Sequence, residues 1–198
     1  MRSPSAERHF QNSMLKEMLK CSSLISSKHA FILSIPKPPN LIITTMNNAL
    51  RLLVTTNGAI PTLIARLTLG FVMFPHGAQK ALGWFGGHGF AGTMGFFTGM
   101  MHIPAPFAFL AILAEFAGSI GLIVGLFGRV AAFGIACVMV VAILTVHVSN
   151  GLFMNWLGDQ KGEGFEYHLL AIGLAIVVMI AGSGAASLDG SIARRLKS

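Results

Sequence analysis

Charge is the scarcest resource in this chain. Only 11% of its 198 residues are charged, against about 25% in an ordinary soluble domain. Acidic residues number seven and tyrosine occurs once. There are two cysteines, Cys21 and Cys137; they form no CxxC or CxxCH, so neither a dithiol redox centre nor a covalently attached c-type haem is encoded. No disulfide is expected, because Cys137 lies inside an apolar run. What remains is 54% hydrophobic, with a mean hydropathy of +0.71. The net charge of +7 is not a nucleic-acid signature, because most of the basic residues stand near the chain ends, away from the apolar body. A membrane topology accounts for them better.

Four runs approach the roughly 20 apolar residues that cross a bilayer. They are Ile60–Leu82, Pro106–Phe127, Val130–Ser149 and Glu166–Gly182. Their continuous hydrophobicity predicts membrane helices rather than buried strands, hence an all-α integral membrane protein built as a four-transmembrane-helix bundle. Lys and Arg sort the connections by side. Arg2, Arg8, Lys16, Lys20, Lys28, Lys37 and Arg51 precede the first run, Arg129 lies between the second and third, and Arg194, Arg195 and Lys197 end the chain. Segments 83–105 and 150–165 carry Lys161 alone among basic residues. The positive-inside rule puts both termini and the Arg129 turn in the cytoplasm.

Two segments stand apart. Residues 83–105 hold seven glycines with Trp84, Phe85, Phe90, Phe96 and Phe97. They read as an outer Gly/aromatic interfacial loop, either a short interfacial or re-entrant helix or a loop anchored by its rings at the bilayer surface. Residues 1–45 are Ser-rich and contain no span; they read as a disordered N-terminal extension, or as an upstream start-site artefact ahead of a functional chain at Met46. The PKPPN stretch reads as a stiff linker.

Charges inside a span are costly and mark a partner or a watery cavity. The first span carries Arg66, then FPHGAQK over residues 74–80. His76 and Lys80 are one helical turn apart and share a face. Glu115 falls near the middle of the second span, beside the small residues Ala111, Ala114, Gly118, Gly121 and Gly125, which let another helix approach. His147 ends the third span, and Glu166, Tyr167 and His168 open the fourth. The expectation is an outward-opening polar pocket of His76, Lys80, His147, Glu166, Tyr167 and His168, with Glu115 beneath and Arg66 deeper still. Glu115 should contact Arg66 or a cavity. A b-type haem would need His147 and His168 as axial ligands, and zinc would need His76, His147 and Glu166; no tight spacing supports either, and no metal site is assigned.

In order along the chain, FPHGAQK, AGTMGFFTGMMHIPAP, AEFAGSIGLIVGLFGR, VAILTVH, NGLFMNW, EYHLL and a closing SLD resemble the DoxX family of small four-helix bacterial membrane proteins. The resemblance covers about residues 58–190. It implies a bacterial cytoplasmic (inner) membrane location and an accessory or quinone-handling role in a membrane redox or oxidative-stress system. By motif it carries over Arg66, His76, Gly77, Lys80, Glu115, His147, Glu166 and Tyr167, with His168 beside them. A quinone is the cofactor it suggests.

Three functions fit this reading. One is a quinone-binding redox component; with no electron-carrier motif, it would be an oxidoreductase subunit needing a redox-enzyme partner. The second is a small proton-coupled transporter, and four spans would then favour a homo-oligomer. The third is a non-catalytic assembly factor. The orientation is checked with reporter fusions at Ser198 and within residues 150–165. We expect opposite signals, cytoplasmic from Ser198; a periplasmic signal there would overturn the four-span topology.

Overall fold

The computed structural model describes residues 41–196. The chain divides into two units at Thr45/Met46, and the second is described by itself. The expectation for residues 1–45 lies almost wholly outside the described residues. Among the described residues the protein is all-helical, without a strand. Its helices are α1 Leu41–Val54, α2 Ile60–Leu82, α3 Gly89–Gly95, α4 Ala105–Val124, α5 Gly128–Ala142, α6 Glu166–Ala181 and α7 Leu188–Arg195. A π turn (Ile143–His147) and a 3-10 turn (Val148–Asn150) prolong α5.

By length and composition, two helices can cross a membrane: Ala105–Val124, mean hydropathy 2.2, and Gly128–Asn150, mean hydropathy 2.4. Only 28% and 22% of these stretches are buried inside the protein. Such apolar helices would be mostly interior in a soluble fold, so their outer faces need an apolar surrounding. Helix α6 is apolar but has 16 residues. Helix α2 has 23, with Pro75 inside it.

Helix α2 packs on α4 and α6, and α5 packs on the same two helices. Their shared core contains Leu69 and Met73 of α2, Leu122 of α4, Ile135 and Met139 of α5, and Ala171, Ala175 and Val178 of α6. The α2–α4 contact is the tightest. A Cβ on Gly77 would lie 2.6 Å from Phe116 Cα and N and 2.7 Å from the carbonyl carbon of Glu115. Nothing but hydrogen fits there, and the missing side chain lets the two backbones touch.

The ends of these helices are closed by buried charge. Arg66, 1% exposed, donates from Nη1 to the carbonyls of Leu122 and, at 2.8 Å, Ile123. Its Nη2 donates to Ala186 O at 3.2 Å and Ala185 O at 3.4 Å. Arg129 donates to the carbonyls of Met179 and Ile180 at the end of α6. Each guanidinium thus satisfies helix-terminal carbonyls that lack an intrahelical partner and sits at the negative end of a helix dipole. Asp189, also 1% exposed, does the converse. Its carboxylate accepts from Phe127 N at 2.8 Å, Gly128 N at 3.0 Å and Ser183 Oγ at 2.5 Å, closing the start of α5.

The pairing of Arg66 with Glu115 is therefore not formed. The Arg66 guanidinium is occupied by carbonyls at the far end of α4, a full turn and more beyond Glu115.

Replacing Gly77 with valine places two methyls where the α4 backbone runs. Overpacking of this kind costs roughly 3 kcal/mol at its upper range. We expect Gly77→Val to lower the thermal aggregation midpoint of the detergent-purified protein sharply. Gly99→Ala serves as the control, since a Cβ there meets nothing within 4 Å and should leave the midpoint within about a degree or two. Equal midpoints for both variants would refute the close contact.

Candidate functional site

The end of α2, the π turn after α5 and the start of α6 meet at one end of the helices, where the polar residues of the sequence gather. Lys80 Nζ lies 2.5 Å from Glu115 Oε2. The carboxyl side chain is 4% exposed and the lysine side chain 28%, so a buried charge is held by a cation that still reaches outward. His76, one turn below Lys80 on α2, stands with its ring centroid 6.0 Å from that of Tyr167. Tyr167 Oη donates to Met73 Sδ at 3.2 Å, and its ring meets His168 edge-on at 5.4 Å.

His147 and His168 stack with centroids 4.1 Å apart. That is ring-on-ring contact and leaves no room for an iron held between them, so these two residues do not form a haem site in this arrangement. His147 Nδ1 is 2.8 Å from Glu163 O. A carbonyl only accepts, so the Nδ1 position carries the proton in that contact and Nε2 is left as the acceptor of the neutral ring. His168 is 7% exposed, and its Nδ1 is buried without a hydrogen-bond partner. Buried polar groups are nearly always paired, and an orphan needs an explanation.

These residues open into a cavity of about 1150 Å³. Its polar end is formed by His76, Lys80, Glu115, His147, Tyr167 and His168. Phe96, Phe97 and Met101, from the segment between α3 and α4, also line it. The whole stretch between α2 and α4 is ordered by short-range geometry: a 3-10 turn at Trp84–Gly86, helix α3 and a π turn at Phe96–Met100. Gln79 Nε2 ties it to α2 by donating to Phe85 O at 3.2 Å.

Two of the residues expected here lie elsewhere. Arg66 closes the opposite end of α4. Glu166 turns to the loop before α6, where its Oε1 accepts from Met154 N at 3.2 Å and Trp156 Nε1 at 3.3 Å. It orders the loop and does not line the cavity. Glu163 and Met154 do line it and were not read from the sequence; no periodicity marks a loop residue as facing a cavity. Asp189 was legible only as part of the SLD motif. Among the described residues, no three His, Cys, Asp or Glu side chains converge to hold a metal ion.

Residues 61–148 match the DoxX family model. That segment, 88 of the 198 residues, is similar to DoxX proteins. The likeness carried by the motifs is thereby borne out over residues 61–148; NGLFMNW, EYHLL and SLD lie beyond the matched segment. A search of curated proteins gave no match, and none was found among solved structures. The DoxX match and the two long apolar helices, whose outer faces are uncovered, point to a membrane protein.

The Lys80–Glu115 pair can be tested by its asymmetry. Lys80→Met strands a buried carboxylate, which costs roughly 2 kcal/mol once the partial exposure of the lysine is discounted. Glu115→Gln leaves an ammonium that can turn to water and should cost less. The double change Lys80→Met with Glu115→Leu should recover most of the loss. Midpoints of thermal aggregation give all three; a double variant as unstable as the sum of the singles would show that the pair is not coupled.

Proposed function

We propose that this protein is a quinone-binding component of a membrane redox system, lying in the bacterial cytoplasmic membrane as a four-span bundle with both termini in the cytoplasm. The single observation that carries the reading is a large apolar cavity whose polar end gathers His76, Lys80, Glu115, His147, Tyr167 and His168. Sites for flat aromatic ligands combine apolar walls with a few placed polar groups. A quinone carbonyl is a hydrogen-bond acceptor, and the imidazoles of His76 and His168 and the ammonium of Lys80 are the donors that line this end. Phe96 and Phe97 supply rings against which the quinone plane can lie.

The chemistry of such a site is proton handling. Reducing a quinone to a quinol takes two electrons and two protons. His168 would donate to one quinone oxygen, and the stacked His147 ring links it to Glu163 and the loop outside. Lys80 and Glu115 offer a second exchangeable proton nearby. The electrons would come from a partner oxidoreductase docked on the membrane. The segment between α2 and α4 would lie at the outer interface and cover the ring.

The test is saturable binding of a fully substituted benzoquinone to the purified protein in lipid nanodiscs, measured by equilibrium dialysis. We expect binding by the wild type. Removing one buried hydrogen bond in His168→Phe should weaken it about tenfold, the equivalent of about 1.4 kcal/mol. Binding that fails to saturate, or that is indifferent to His168, overturns the reading. Proton-coupled flux in proteoliposomes without quinone binding would point instead to a small transporter.

A further inference from the structure

The end of the helices away from the cavity's histidines is unevenly charged. Among the described residues five arginines stand there, Arg51, Arg66, Arg129, Arg194 and Arg195, against one carboxylate, Asp189. Asp189 is buried and spent on the amides of Phe127 and Gly128. Arg66 and Arg129 turn inward to backbone carbonyls. Arg51, Arg194 and Arg195 are exposed. They come from α1 and α7, far apart in the chain, and the fold brings them together: Arg51 Nη2 donates to Leu196 O at 2.5 Å. The joint is fixed to the scaffold. Arg129 Nη2 donates to Thr55 O at 3.2 Å, and Gly184 N donates to Thr56 Oγ1 at 2.6 Å. The residues after α1 are thus tied to the end of α6. The positive-inside rule accounts for the side on which basic residues lie, not for this convergence.

The depth of the cluster follows from Asp189. It bonds the amide of Gly128, the first residue of the apolar stretch Gly128–Asn150. Helix α7 therefore begins at the level where that stretch begins. Basic side chains at this level meet the phosphate layer of a bilayer, and apolar ones meet the first carbons of its chains. Apolar side chains are exposed at the same level: Leu52 of α1 by 74%, Leu188 of α7 by 48% and Phe127 of the turn before α5 by 41%.

We propose that this end is a binding site for anionic phospholipid, with Arg51, Arg194 and Arg195 on the phosphodiester head group and Leu52, Phe127 and Leu188 against its acyl chains. A guanidinium matches phosphate in shape as well as charge, offering paired N–H donors to two oxygens. A zwitterionic head group brings its own cation among five arginines, whereas phosphatidylglycerol brings only the negative charge. The site lies apart from the cavity's histidines and stands whether or not a quinone binds there.

The test uses the full chain, delipidated in a neutral detergent, with native mass spectrometry to count bound lipid and give its Kd. Phosphatidylglycerol and phosphatidylcholine with identical chains are compared with glycerophosphoglycerol, the water-soluble head group alone. Phosphatidylglycerol should bind at least about tenfold tighter than phosphatidylcholine, since each arginine near an anionic surface is worth about fivefold. Arg194→Gln should weaken phosphatidylglycerol about fivefold on the same scale. Changing Arg51, Arg194 and Arg195 together to glutamine should abolish the preference. Lys161→Gln removes one positive charge from an exposed residue of the loop at the other end and should change nothing. Arg194→Lys keeps the charge and should keep most of the preference, so the single variants decide the matter even if the triple variant does not fold. Equal affinity for the two lipids, or a loss in Lys161→Gln as large as in Arg194→Gln, overturns the site. Glycerophosphoglycerol bound as tightly as the lipid would make this a site for free phosphate esters and overturn the lipid as its occupant. Binding of a polyglutamate peptide in place of the lipid would assign the arginines to an acidic protein and overturn it equally.

Discussion

At Gly77 the backbone of α2 lies so close to that of α4 that a Cβ would stand 2.6 Å from Phe116 Cα. The open end of the protein depends on that approach. It sets Lys80, one turn above Gly77, beside Glu115, the neighbour of Phe116. It also holds His76 on the side of α2 that meets Tyr167 of α6. A side chain at residue 77 would separate the helices and leave the Glu115 carboxylate without its cation. In an apolar surrounding an isolated carboxylate is far costlier than in water, so the contact and the ion pair stand or fall together.

The opposite end obeys a different constraint. Helix ends carry carbonyls and amides with no partner in the helix, and a chain inside a bilayer has no water to offer them. Here Arg66 and Arg129 serve the C-terminal carbonyls of α4 and α6, while Asp189 serves the amides that start α5. Arg66 therefore belongs to the scaffold. A charge embedded in a span marks either function or satisfaction of the backbone, and only its neighbours tell which.

Between these ends the walls are almost wholly apolar, and many large side chains face outward, among them Leu170 at 71% and Ile180 at 74% exposed. Bundles of this kind gain little from hydrophobic contact between helices when lipid surrounds them; close packing of small residues does more.

Much was legible from the sequence by itself. Continuous apolar runs gave α2 its bounds at Ile60 and Leu82 and placed α6 at Glu166, because a helix that must avoid water cannot be interrupted. The gathering of His76, Lys80, His147, Tyr167 and His168 at one end followed from counting residues along helices of alternating direction. What the sequence could not decide was partner choice across helices. Glu115 lies within reach of both Arg66 and Lys80 by axial counting, and rotation about the helix axes, set by the Gly77 contact, awards it to Lys80. Glu166 likewise sits beside Tyr167 in the chain, yet neighbouring residues on a helix point in different directions, and its carboxylate turns to Trp156 of the loop. Whether His168 Nδ1 has a partner is a property of everything packed around it; only the tertiary structure leaves that nitrogen buried without one.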